Sequence, residues 1–195
     1  MRGRAEEVRF ADDMVFVFQE KQDAERFYKV LPMRLEKFGL EMHEAKSSII
    51  PSGSKAAVEA HKRGGRLPTY KFLGFVCYWG QSRNGWWRLK HKSRPDRMHA
   101  KLNGLRQYLK DSLNQETQTV MKRVNTVVKG WTNYNAISDN QKRVVSFITT
   151  CEHELFRWRN RKGGQRKLNW KQFSKLLKET KFPKRFKTTS MFATC

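Results

Sequence analysis

The stretch Val8-Arg9-Phe10-Ala11-Asp12-Asp13-Met14-Val15-Phe16-Val17-Phe18 decides how the chain is read. β-Branched and aromatic residues dominate it, which predicts two short strands joined by a tight turn. Two adjacent carboxylates stand at its centre, and five apolar residues follow them without a break. Those apolar flanks predict a buried hairpin. Two anions gain nothing by packing there, and desolvating them is costly unless a cation lies beside them. A divalent ion supplies that cation, because Mg²⁺ takes one or two protein carboxylates together with waters and substrate phosphates. Asp12 and Asp13 are therefore candidate metal ligands for phosphoryl or nucleotidyl transfer. The competing possibility is an ordinary turn, where aspartates bond to nearby backbone N–H groups. The dipeptide itself leaves both open.

Charge narrows the choice of partner. The 195 residues carry a net charge of +23. Residues 1–60 hold 10 Lys and Arg against 11 Asp and Glu, a net −1, whereas residues 61–195 hold 31 against 7, a net +24. So large an excess on one segment implies a polyanionic partner, most simply nucleic acid. No predicted helix confines its Lys and Arg to one face, which disfavours a membrane surface. Cys77, Cys151 and Cys195 lie far apart, with no Cys-x-x-Cys pair and no histidine at ligand spacing. Neither a zinc site nor a disulfide framework is expected, and the pattern fits a reducing compartment. The N-terminus has no apolar targeting core and no run reaches membrane-spanning length, so a cytoplasmic location is expected.

The periodicity then divides the chain. Ala24, Phe27, Tyr28, Leu31, Leu35 and Phe38 predict a helix, with a kink or break at Pro32 and a stop at Gly39. Alternation over Leu40–His43 and the run Ser47–Ile50 predict short strands around a turn at Glu44-Ala45-Lys46. Residues 51–69 read as a loop with at most a helical turn. Tyr70 to Trp79 is strand-prone, and Trp86 to Leu89 is its expected partner across a turn at Gly80–Gly85. Beyond Arg94 three apolar stripes predict helices: Met98, Leu102, Leu105, Leu109; then Val120, Met121, Val124, Val127, Val128, Trp131; then Val144, Phe147, Ile148, Cys151, Leu155, Trp158. Asn169, with Gln172 three residues on, predicts a capped last helix. The basic tail from Phe182 to Cys195 is expected to be poorly ordered. The fold class is thus α+β, a segment of hairpins and helix followed by an all-helical basic segment.

Four motifs in order carry a family resemblance. Phe10-Ala11-Asp12-Asp13 resembles the Tyr/Phe-Ala-Asp-Asp motif of reverse transcriptases. Gly39-Leu40-Glu41-Met42, running on to Lys46, resembles the next block, and Lys71-Phe72-Leu73-Gly74-Phe75 resembles the Phe-Leu-Gly-Phe block after it. Gly130-Trp131-Thr132-Asn133-Tyr134 resembles the Gly-Trp-x-Asn-Tyr signature of group II intron-encoded reverse transcriptases and maturases. The resemblance covers nearly the whole chain. It implies the C-terminal part of a reverse-transcriptase palm over 1–92, a thumb-like helical segment over 93–131 and the maturase-specific domain X over 132–195.

The same resemblance implies roles. Asp12 matches the main metal ligand and Asp13 the second carboxylate. Lys46 matches the lysine near the incoming nucleotide's phosphates, where a cation stabilises developing charge. Phe72, Leu73 and Gly74 resemble the primer grip, while Asn133 and Tyr134 are candidates for RNA contact or for bracing a helix junction. Arg157, Arg159, Arg161, Lys162, Arg166 and Lys167 crowd one stretch, which favours phosphate contact over a solvated face. The implied partners are intron RNA and, in a complete enzyme, DNA primer or target and deoxynucleoside triphosphates. The fingers and the first palm aspartate of the family have no counterpart here. Mg²⁺ binding and polymerisation are therefore expected only with an upstream N-terminal fragment supplied. No His/Cys-rich endonuclease segment follows domain X, so DNA cleavage is not expected. Trp79, Trp86 and Trp87 are candidates for base stacking, with packing favoured for at least two of them.

Overall fold

The computed structural model describes residues 2–162 and 167–190, without the side chain of Lys162. The expected contributions of Lys162 and Arg166 to a basic surface lie outside the described side chains. The fold is α+β in class, with two small antiparallel sheets. The chain divides into two compact units. The first comprises Met1–Leu73 with Cys77–Leu89, the second Gly74–Val76 with Lys90–Cys195.

The first unit opens with the expected hairpin, β1 (Ala5–Phe10) and β2 (Asp13–Phe18). Its register places Val8 opposite Val15, and Phe10 opposite Asp13. Because side chains alternate, Val8, Phe10, Val15 and Val17 share one face, and Met14, Phe16 and Phe18 share the other. Helix α1 (Lys21–Glu36) covers the second face, its Phe27 ring lying 4.6 Å from Phe16 and 5.2 Å from Phe18. The start of α1 is tied back by Asp23, whose carboxylate accepts the N–H groups of Gly3 (3.1 Å) and Arg2 (2.7 Å). Those bonds hold its carboxyl below the usual range. The hairpin is not buried as expected. All of β1 is exposed, including Val8 at 53% and Phe10 at 63%. Among the described residues α1 covers the face of Phe16 and Phe18, while Val8, Phe10 and Val17 on the other face stay exposed.

Three other expectations for this unit change. Helix α1 continues four residues past Pro32 with no break, and then ends as expected, with Gly39 at φ 66° and the Leu40 N–H on the Leu35 carbonyl. Leu40 to Ile50 forms no strands but a single 3₁₀ turn at Glu44–Lys46. There Tyr28 Oη donates to the Ser47 carbonyl and Ser47 Oγ to that of His43, local bonds that compete with a ladder. Within 51–69 lies a helix, α2 (Ser54–Lys62), built on the helix-forming run Lys55-Ala56-Ala57.

The strand-prone segment is split. β3 (Tyr70–Phe72), β4 (Phe75–Gln81) and β5 (Trp87–Ser93) form the second sheet in that order. Trp79 and Trp87 are half-buried, the first donating to Ser52 Oγ and the second packed on His61, while Trp86 is 76% exposed.

The second unit is helical. α3 (Pro95–Asp111), α4 (Thr117–Asn135), α5 (Gln141–Lys162) and α6 (Trp170–Glu179) bury the expected stripes in one core, with Phe147, Leu155 and Phe173 fully sealed. Each such side chain contributes about 1.5–3 kcal/mol by burial. Trp131 stacks on Phe147 at 3.9 Å, so its place is in the packing. Asn169 and Gln172 form the expected capping box. The tail corrects its expectation as far as Ser190. Phe182 is buried, Lys184 pairs with Glu152, and Thr189 bridges Ile137 beside the start of α5.

One buried polar cluster has no precedent in the apolar pattern. Asn140 accepts the Ser93 N–H (2.9 Å), and its amide donates to Ser93 Oγ (2.5 Å) and the Asn135 carbonyl (2.9 Å). Ser93 Oγ donates to Asn135 Oδ1 at 2.7 Å, and Asn135 donates to the Trp131 carbonyl at 2.8 Å. Truncating Asn140 orphans several buried groups, each worth about 1–3 kcal/mol. Asn140→Ala is expected to lower unfolding free energy by about 3 kcal/mol in urea titration, with an unchanged m-value.

Candidate nucleic-acid interface

Asp12 and Asp13 stand at the tip of the β1–β2 hairpin, and both are exposed. The two-residue loop is Ala11-Asp12, with Ala11 at φ 53°. A side chain at that φ costs about 1–2 kcal/mol in helical context, so the tip is strained. The carboxylates are adjacent and open to solvent, so the burial cost that pointed to a cation is not incurred at this tip. Among the described residues no three His, Cys, Asp or Glu side chains group to hold an ion. Lys46 is exposed at the end of its 3₁₀ turn.

Phe72 and Leu73 close the first stretch of the first unit, and Gly74 opens the second unit, which gathers more. Leu73 (φ 44°) and Gly74 (φ 77°) form the two-residue connection between β3 and β4. Positive φ at both loop positions matches a type I′ hairpin turn. Gly74 has room for a methyl group: a Cβ built there would lie 3.7 Å from Arg97 Nη1 and from Tyr134 Cε1, ordinary contact distances. Its backbone angle, not crowding, calls for glycine. The Gly74 carbonyl accepts the Arg94 N–H at 3.2 Å, and Phe75 stacks on Tyr134 with ring centroids 5.7 Å apart. Gly74 and Tyr134, candidates sixty positions apart, thus meet beside Arg97. Tyr134 is 59% exposed and Asn133 is exposed beside it, in the last turn of α4. Phe72 is half-buried at the end of β3.

Sequence reasoning missed Arg94 and Arg97. Their signal was position, at the entry of a Pro-initiated helix directly after a strand. Arg94 pairs with Asp96 at 2.6 Å. That hydrogen bond holds the Asp96 carboxyl down to about 2 and raises the guanidinium. Arg97 has no such carboxylate in its described ion pairs.

The remaining cations lie along α5 and after it. Arg157 and Arg161 are exposed, Arg159 is half-buried, and Lys167 is exposed beyond the helix. Two clefts flank this stretch. One of ≈ 450 Å³ lies between α3 and α5, where Glu154 accepts from Arg106 Nε (2.9 Å) and lies 3.6 Å from Arg157 Nη1. The other, ≈ 630 Å³, is lined by Phe156, Arg157, Asn160, Arg161 and Lys167. Burial pushes the Cys151 thiol up to about 12 and the Cys77 thiol up as well, which suits packing rather than chemistry. No helix among the described residues is long and apolar enough to cross a membrane. No protein-family model and no curated protein sequence matches the chain.

Two outcomes are expected. Gly74→Ala should destabilise by about 1–2 kcal/mol in chemical denaturation, because alanine must take the left-handed conformation. The Asp96 carboxyl should titrate near 2 by NMR, and Arg94→Ala should return it toward the ordinary range. Since a depressed carboxyl stabilises above its unfolded pKa, the contribution of this pair is lost as pH falls from about 4 toward 2.

Proposed function

We propose that this chain is the C-terminal part of a group II intron reverse transcriptase/maturase. It binds intron RNA, supports its splicing-competent fold, and contributes Asp12 and Asp13 to RNA-directed DNA synthesis. The observation that carries this is the meeting of Gly74 and Tyr134. Gly74 of the Phe-Leu-Gly-Phe motif and Tyr134 of the Gly-Trp-x-Asn-Tyr motif meet beside Arg97, in a unit that carries 25 Lys and Arg against 7 Asp and Glu, +18 of the net +23. An exposed aromatic ring and guanidinium groups are what a nucleic-acid strand recruits.

In this function Asp12 and Asp13 would hold Mg²⁺ jointly with a carboxylate from an N-terminal palm fragment. An ion held there would supply charge stabilisation for nucleotidyl transfer. Lys46 would neutralise phosphate charge. Arg157, Arg159, Arg161 and Lys167 would contact RNA phosphates, and Phe72, Leu73, Gly74, Asn133 and Tyr134 would position the strand.

The exposure of Asp12 and Asp13 at the hairpin tip favours a second reading for the isolated chain: an RNA-binding maturase fragment without polymerase activity. Primer extension separates the two. The chain alone should give no extension, and adding the N-terminal palm portion in trans should restore it. Asp12→Asn should abolish the restored extension while RNA affinity stays within about twofold. Robust extension by the chain alone would refute this assignment. RNA affinity, measured by filter binding, should fall about a hundredfold between 50 and 200 mM salt if four phosphates are neutralised. A flat profile would count against phosphate contact.

A further inference from the structure

The geometry points to a pocket on the second unit that takes one unpaired nucleotide of the RNA, its base against Phe156 and its phosphate among Arg157, Arg161 and Lys167. This rests on the proposal that the basic unit binds RNA and goes further, because it distinguishes single-stranded from duplex RNA. Phe156, Arg157, Asn160 and Arg161 fall at helical spacings of one, three and one along α5, so they share one side of it. Together with Lys167 they line the open cleft of ≈ 630 Å³. That volume lies within the usual range of small-molecule pockets, about 300–1,000 Å³.

The cleft combines two surfaces. Its wall is aromatic and braced: Phe156 meets Trp170 at 5.0 Å and Phe173 at 5.2 Å, both edge to face, which fixes its ring plane. Its rim is cationic, and no acid lines it among the described residues. Asn160 sets that rim, since its amide donates to the Leu168 carbonyl (3.1 Å) and accepts the Leu168 N–H (2.8 Å), fixing the backbone next to Lys167. The neighbouring cleft between α3 and α5 lacks this combination, because Glu154 sits in it among the cations and takes up Arg106. An aromatic wall under a rim of positive charge is how sequence-tolerant single-strand binders hold a base and its phosphate. A paired base stays stacked in its helix and cannot enter.

The test uses the full chain with a 12-nucleotide single-stranded RNA carrying one 2-aminopurine, and a blunt duplex with the same number of phosphates. The single strand should bind about tenfold more tightly, with quenching of 2-aminopurine fluorescence. Phe156→Leu, which keeps the core filled, should lose the quenching and most of that preference, and Phe156→Tyr should retain both. A nucleoside monophosphate should displace the probe where inorganic phosphate at equal concentration does not, a comparison that needs no variant. Equal binding of single strand and duplex without quenching would overturn the pocket and leave RNA binding intact. Failure of either RNA to bind would overturn both proposals.

Discussion

The hydrogen bonds among Ser93, Asn135 and Asn140 set the geometry on which the candidate surface depends. Asn140 captures the Ser93 backbone and hydroxyl, and Asn135 closes the triangle. The next residue after Ser93 is Arg94, whose N–H holds the Gly74 carbonyl. The residue before Asn135 is Tyr134, whose ring stacks on Phe75. A cluster sealed from water therefore fixes the end of a strand and the end of a helix, and the exposed groups beside them inherit that rigidity. Buried polar groups reward such an arrangement only when satisfied, and the bonds of this cluster meet that condition.

The helical unit was the legible part of the chain. Long stripes such as Met98-Leu102-Leu105-Leu109 keep their period of three and four for several turns, and local propensity and burial agree along them. Asn169 with Gln172 was equally readable, because a capping box needs only its own four residues. Asn135 and Asn140 were not. Asn135 continues the stripe Val124, Val128, Thr132, and a polar residue at a buried position announces itself only through a partner such as Ser93, more than forty residues away.

The first unit was harder for physical reasons. Met14 to Phe18 is apolar without interruption, the signature of a strand covered on both sides, yet α1 covers only the face that holds Phe16 and Phe18. Between Leu40 and Ile50 a few side chain–backbone bonds outweigh a weak alternation. The chain segment around Ala56 and Ala57 is helical despite Pro51 and Gly53, because these breakers flank the helix rather than enter it. Of the candidate site, Gly74 and Tyr134 were named from motifs, but their mutual contact and the company of Arg97 belong to tertiary structure.

The bare outer face of the hairpin has a colloidal consequence. Val8, Phe10 and Val17 make a sticky strip on a molecule of net charge +23. Mutual repulsion keeps such molecules apart only while their ion clouds overlap, and the screening length shrinks from roughly 30 Å at 0.01 M to about 3 Å at 1 M salt. Brine strong enough to strip polyanions from the protein thus also removes the barrier that stops these strips from finding one another.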